Sequence, residues 1–241
     1  MDHLNDRPRI EGLLRREATA LLAWLPAQQG AEQAWGAAGE EALGWAGRPV
    51  VRQALLVGAG VLALAAIFLP LWAMTLVSTQ YPEGLRMVVY ASRLAGDIRE
   101  INMLNHYIGM AEISEADFAE LRVLPALLGA IGLACLVAAL VRRVWLTAVP
   151  LVLMVGTGIY GFWSISRRLY EYGHNLDPAA PIDIEPFTPP LFGEHQIAQF
   201  ATSAYFSWGT FVAVVAGLLV VIALWLDLRQ RARAGAGEGG R

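Results

Sequence analysis

Long apolar stretches separated by polar segments dominate the hydropathy pattern of this chain. Four of them are long enough to cross the hydrocarbon core of a bilayer, which takes about 20 residues of α-helix. They cover about 54–77, 123–141, 144–165 and 209–226. A helix forms its backbone hydrogen bonds within itself, as lipid requires. The pattern therefore predicts an all-α integral membrane protein with four transmembrane helices.

Arginines near the ends of these stretches set the expected orientation, because short cytoplasmic loops are rich in basic residues. Arginine clusters occur at 48–52, at 142–143 and at 229–233. In a four-span protein all three lie on the same side of the membrane. We therefore expect both termini to be cytoplasmic and two ordered segments, 78–122 and 166–208, to be extracytoplasmic.

The chain is expected to have three regions. Residues 1–47 include the amphipathic stretch EGLLRREATALLAWL, which can lie on the inner membrane surface. Residues 48–228 form the four-helix membrane domain, and residues 229–241 form a basic cytoplasmic tail. The N-terminal region has no apolar core of the kind a signal peptide contains, so the first span is expected to act as the insertion signal.

Composition narrows the possible functions. The chain is 56% hydrophobic and 16% charged, which is typical of a protein in a lipid bilayer. The single cysteine, Cys135, excludes a disulfide framework and a cysteine-based metal site. The spans contain no ionisable residue before Asp227, which disfavours an ion pump. No nucleotide-binding or hydrolase motif occurs, so we expect neither an enzyme nor a nucleic-acid partner.

The first outer segment contains an unusual motif, NMLNHYIGM, at 102–110. A helix over about 97–110 would place Met103, His106 and Met110 within one face, because residues three and four apart are neighbours on a helix. An imidazole and two thioethers would then converge.

The second outer segment contains two further histidines. His174 follows the third predicted span, and His195 precedes the fourth. Between them the passage PAAPIDIEPFTPP, residues 178–190, holds five prolines, which predict an extended strap rather than a helix. A four-helix bundle would bring these ends close to the first outer segment.

Imidazole and thioether groups together suit Cu(I), a soft ion, better than zinc, calcium or magnesium. The candidate ligands are His106, His174, His195, Met103 and Met110. Methionines at helical spacing also pack cores, and an isolated histidine can simply bond a carbonyl. The residues alone leave both interpretations open.

The stretches QYPEGL, NMLNHYIGM and YEYGHNLDP together resemble a group of small multi-span bacterial membrane proteins associated with the maturation of copper enzymes of the nitrous oxide reductase type. In that group the GHNLDP stretch is likewise followed by a proline-rich passage. The resemblance covers the two outer segments and implies a role in copper handling. It assigns no ligand.

Three functions remain as hypotheses. The first is a non-catalytic, multi-pass protein of the bacterial inner membrane that binds Cu(I) on its periplasmic face and delivers or retains it for a copper enzyme. The second is an electron-transfer subunit that binds haem b or a quinol through His106 and His174. The third is a scaffold subunit that docks other membrane subunits, with Met103, Tyr107 and Met110 packed under the strap.

Overall fold

The computed structural model describes residues 49–182, 184–197 and 200–238. The predicted amphipathic region, 1–47, lies outside the described residues. Residues from Arg52 onward form one compact unit. In chain order the elements are helix α1 (Pro49–Ala65), strands β1 (Pro70–Val77), β2 (Leu85–Tyr90) and β3 (Leu94–Gly96), helix α2 (Ile98–Tyr107), a 3-10 turn (Glu115–Asp117), helices α3 (Glu120–Leu140) and α4 (Val144–His174), strands β4 (Gly193–Ile197) and β5 (Phe200–Phe206), and helix α5 (Trp208–Glu238).

Three helices carry the membrane-spanning character of the chain. α3, α4 and the part of α5 up to Arg233 are long and apolar enough to cross a membrane. They correspond to the predicted spans 123–141, 144–165 and 209–226. α4 and α5 have 31 residues each, about 46 Å at the rise of an α-helix, which exceeds the roughly 30 Å of a hydrocarbon core. Their ends therefore project beyond it, and residues 229–238 of the predicted tail continue α5.

The predicted first span, 54–77, is not one helix. α1 ends at Ala65, and after a turn the chain continues as strand β1 from Pro70. Proline has no backbone N–H and disfavours the interior of a helix, and the residues after Pro70 include Trp72, Thr75 and Val77, types that favour strands. α1 has 17 residues, fewer than the about 20 that a span requires. The four-span prediction is therefore not confirmed.

A five-stranded antiparallel sheet does not fit the all-α prediction. The strand order is β3-β2-β1-β5-β4, and the central strand β1 places Met74 opposite both Met87 and Ala204. β1 follows α1 and β5 precedes α5, so the sheet is attached to the ends of these two helices. Only β1 lies within a predicted span, where hydropathy cannot distinguish a strand from a helix; the other four strands lie in the segments between the predicted spans.

The helices pack around a core of small side chains. Ala59 and Ala63 of α1, Cys135 of α3 and Ala216 of α5 are fully or almost fully buried in it. A Cβ atom added to Gly60 would lie 3.1 Å from the carbonyl oxygen of Gly132. α1 and α3 therefore approach closely, as small residues allow in helix bundles.

A second core lies between the sheet and α2. It contains Trp72 and Met74 of β1 and Met87 of β2, together with Ile101 and Leu104 of α2. The outer end of α4 contributes Tyr172 to the edge of this core. The outer segments thus form a domain of mixed strands and helices beside the bundle.

A buried ionic network joins α1, α4 and α5 at the end of the bundle that carries the 142–143 hairpin. The Arg52 Nε atom lies 2.6 Å from the Asp227 Oδ1 atom, and these residues are only 4% and 7% exposed. Arg52 Nη2 donates to Thr147 Oγ1 at 2.8 Å, and Thr147 Oγ1 donates to Asp227 Oδ2 at 2.7 Å. Arg52 Nη2 also lies 3.4 Å from the Val141 carbonyl oxygen. This end of the bundle therefore holds Arg52 of the first predicted arginine cluster, the 142–143 hairpin and the end of the last predicted span.

The two outer segments fold against each other at the opposite end. The backbone N–H of Asp177 donates to Gly109 O at 2.8 Å, and that of Ile182 donates to Tyr107 O at 3.0 Å. Described residues between 178 and 190 form no helix or strand, as predicted for an extended strap. These hydrogen bonds fix the strap against the end of α2.

Candidate functional site

The motif at 102–110 ends α2 with a glycine turn. α2 stops at Tyr107, so the prediction that His106 and Met110 share a face of one helix is wrong. Gly109 has a φ of 76°, and the backbone N–H of Met110 donates to Asn105 O at 2.9 Å. A positive φ is easily adopted only by glycine. The turn reverses the chain and brings Met110 back beside the end of α2.

His174 is the last residue of α4, and its ring is held in place on two sides. The Nδ1 atom lies 3.0 Å from the Tyr170 carbonyl oxygen, and the ring stacks on the Tyr170 ring with centroids 3.8 Å apart. A carbonyl accepts only from a protonated nitrogen, so this bond places the proton on Nδ1. The lone pair of Nε2 is then the one available to a ligand, which is the usual arrangement of a metal-binding histidine.

His106, Met110 and His174 line one open cavity, which is bounded by the glycine turn on one side and by residues 174–181 on the other. Three of the five predicted ligands therefore line the same cavity. They come from three different places: the last turn of α2, the turn after it, and the end of α4. Asp177 also lines the cavity, but its Oδ1 atom accepts from the backbone N–H of Ala179 at 2.9 Å.

The other two predicted ligands lie elsewhere. Met103 is 47% exposed on α2 and is not among the residues that line this cavity. His195 is exposed on β4, an edge strand, opposite Thr202 of β5. The hydropathy pattern missed β4, and His195 is not among the residues that line the cavity.

The donor set at the cavity is two imidazoles and one thioether. Within the described residues, no group of three or more His, Cys, Asp or Glu side chains is close enough to hold a metal ion. A nitrogen and thioether set with few members is the kind that Cu(I) accepts.

Asparagines of the motif have structural roles that differ from one another. Asn102 Oδ1 accepts from the Ile113 N–H at 2.8 Å, and Asn102 Nδ2 donates to the Ile113 carbonyl at 3.0 Å. Asn105 is 4% exposed, and its Nδ2 atom has no hydrogen-bond partner among the described residues. The signal for this burial in the sequence is the spacing of Asn105 from Ile101, which lies one turn earlier in α2 and is also buried.

No protein-family model matches this chain, and a search of curated proteins found no significant match.

Proposed function

We propose that this is a non-catalytic, multi-pass protein of the bacterial inner membrane that binds Cu(I) on its periplasmic side. It delivers or retains the ion during assembly of a periplasmic or membrane copper enzyme. The observation that supports the proposal is that His106, Met110 and His174 line one open cavity. The resemblance of the two outer segments to proteins of copper-enzyme maturation supports the same function.

The proposed ligands differ in how firmly they are held. His174 is oriented by its bond to the Tyr170 carbonyl and by ring stacking, whereas His106 is exposed. Met110 has a flexible, polarisable side chain that can adjust to a soft ion. One fixed and two adjustable ligands suit an ion that is bound and then passed on. Because the cavity is open, a partner can supply a further ligand.

Copper titration of the purified full-length protein tests the proposal. Cu(I) is added under reducing conditions in competition with a colorimetric Cu(I) chelator. We expect His106→Ala and His174→Ala each to weaken binding by at least about tenfold, the effect of losing one ligand contact. His195→Ala is the matched control and should bind like the parent. Binding should also weaken in acid, because only neutral imidazole coordinates a metal.

Two results would overturn the copper proposal. The first is a parent protein that takes no Cu(I) from the chelator. The second is equal affinity in the parent, His106→Ala and His174→Ala proteins. A loss of affinity in His195→Ala alone would also contradict it, since that side chain lies on the edge strand β4.

A scaffold role is the second candidate, and the bonds between the outer segments favour it. Tyr107 O and Gly109 O hold the strap at Ile182 and Asp177, so the domain has an ordered surface for a partner subunit. Melting temperatures separate the two functions. Cu(I) raises the melting temperature of a protein that binds it only when folded, whereas a pure scaffold shows no such shift.

A further inference from the structure

A second cavity lies in the core between the sheet and α2. Its free volume is about 70 Å³, and mainly apolar side chains form its walls. Native interiors contain few voids larger than a water molecule, which needs only about 10–15 Å³. The space is therefore more than a one-water packing defect, and it has room for an ion without its hydration shell.

Methionines from three different elements line this cavity. They are Met74 of β1, Met87 of β2 and Met110 of the glycine turn. Met74 and Met87 lie directly opposite each other in the antiparallel pair, and both are buried on the side of the sheet that faces α2. Opposite residues on one face of a sheet have Cβ atoms about 4.5–5.5 Å apart. Two flexible thioethers can therefore reach the same point in the cavity.

Met110 is common to both cavities. It lines the second cavity and also the open cavity, where His106 and His174 lie. Its side chain is unbranched and can change its rotamer easily. An ion that Met110 holds in the open cavity therefore already has a ligand that borders the second one.

The residues that line the second cavity favour a soft ion of low charge. Neutral thioethers select Cu(I), whereas Cu(II) prefers nitrogen and oxygen ligands. A singly charged ion also loses less hydration free energy on burial than a doubly charged ion. Arg168 lines the cavity as well, but its Nη1 atom lies 3.5 Å from Glu171 Oε2, so a carboxylate offsets its charge.

From these observations we infer that Met74, Met87 and Met110 form an inner site that holds a second Cu(I) ion. The inference rests on the proposed function and extends it, because it states where an ion goes from the open cavity. In that step Met110 keeps its bond to the ion, His106 and His174 release it, and the two thioethers of the sheet bind it. The ion remains Cu(I), and the imidazoles are free to bind another one.

Nuclear magnetic resonance of the full-length protein in detergent micelles tests the inner site. The methionine methyl groups are labelled with ¹³C and assigned by nuclear Overhauser contacts with their neighbours. Cu(I), which is diamagnetic, is added without oxygen up to two equivalents. We expect the signals of Met74, Met87 and Met110 to shift. The signal of Met154, which packs against the core of the helix bundle, should not shift.

Competition with the colorimetric chelator counts the bound ions. The parent protein should take two equivalents of Cu(I), and Met87→Leu should take one, because leucine keeps the volume of the side chain but has no sulfur. Met154→Leu is the matched control and should take two. His106→Ala combined with His174→Ala should take one, held by the inner site.

Two results would overturn the inference. The first is that the methyl signals of Met74 and Met87 do not move at two equivalents of Cu(I). The second is a folded Met87→Leu protein that still takes two ions.

The same titration separates this inference from the proposed function. A parent that takes one ion, and loses it in the double histidine variant, supports the proposed function and refutes the inner site. A single ion that is lost in Met87→Leu but kept in the double histidine variant refutes the histidine site instead. The methyl signals of the parent protein test the inner site even if Met87→Leu does not fold.

Discussion

The ionic network at the hairpin end of the bundle gives the sharpest stability prediction. Asp227→Ala removes the carboxylate that lies 2.6 Å from Arg52 Nε and also removes the acceptor of the Thr147 hydroxyl. The guanidinium of Arg52, only 4% exposed, then has no counter-charge. Breaking a buried ion pair by deleting one partner typically costs about 3–5 kcal/mol. We expect a loss of this size in the free energy of unfolding.

A double variant that removes both charged side chains should lose much less free energy of unfolding than Asp227→Ala. Arg52→Met with Asp227→Ala leaves no unpaired charge, and replacing a whole buried pair by apolar groups is often neutral or stabilising. The orphaned Thr147 hydroxyl can still bond within its own helix. We expect the double variant to lie within about 1–2 kcal/mol of the parent protein, the scale of one lost hydrogen bond.

Reversible unfolding by sodium dodecyl sulfate in mixed micelles, followed by tryptophan fluorescence, measures both variants. Arg168→Met serves as a control for the loss of a partly exposed arginine. Arg168 Nη1 lies 3.5 Å from Glu171 Oε2, and both side chains are about one-third exposed. It should cost about 0–1 kcal/mol. A double variant as unstable as Asp227→Ala, or an Asp227→Ala protein as stable as the parent, would refute the reasoning.

Two further predictions concern the motif at 102–110. Gly109→Ala should lower the free energy of unfolding by about 1–3 kcal/mol, because the φ of 76° would be strained and the new Cβ would lie 2.8 Å from Asp177 O. Gly156→Ala is the matched control, since nothing lies within 4 Å of its added Cβ. Equal free energies of unfolding for the Gly109→Ala and Gly156→Ala proteins would disprove the argument. Asn102→Ala should lower the free energy of unfolding by about 1–3 kcal/mol, because both backbone groups of Ile113 lose their hydrogen-bond partner. Chemical denaturation measures this loss. An unchanged midpoint would show that water replaces the amide.

The resemblance and the residue types predicted copper binding. The positions of the candidate ligands, however, depend on turns and strands that hydropathy does not show. His106 and Met110 were expected one helical turn apart. Instead the helix ends at Tyr107 and the chain turns at Gly109, and both residues line the cavity that His174 also borders. His195 has the same chemistry as the other histidines, but strand β4 carries it elsewhere. Residue type therefore selected the candidates, and the path of the chain determines which of them border the same cavity.

Hydrophobic length predicted the three long helices, because a helix satisfies the backbone of an apolar run in lipid, but the same criterion failed for 54–77, where a helix and a strand share one run. Proline density predicted that 178–190 would not be helical, since each ring fixes a backbone angle locally, and the described residues there form no helix or strand. The sheet, the pairing of Arg52 with Asp227 and the unpaired amide of Asn105 depend on residues far apart in the chain. Such contacts are set by which surfaces pack together, and only the tertiary structure decided them.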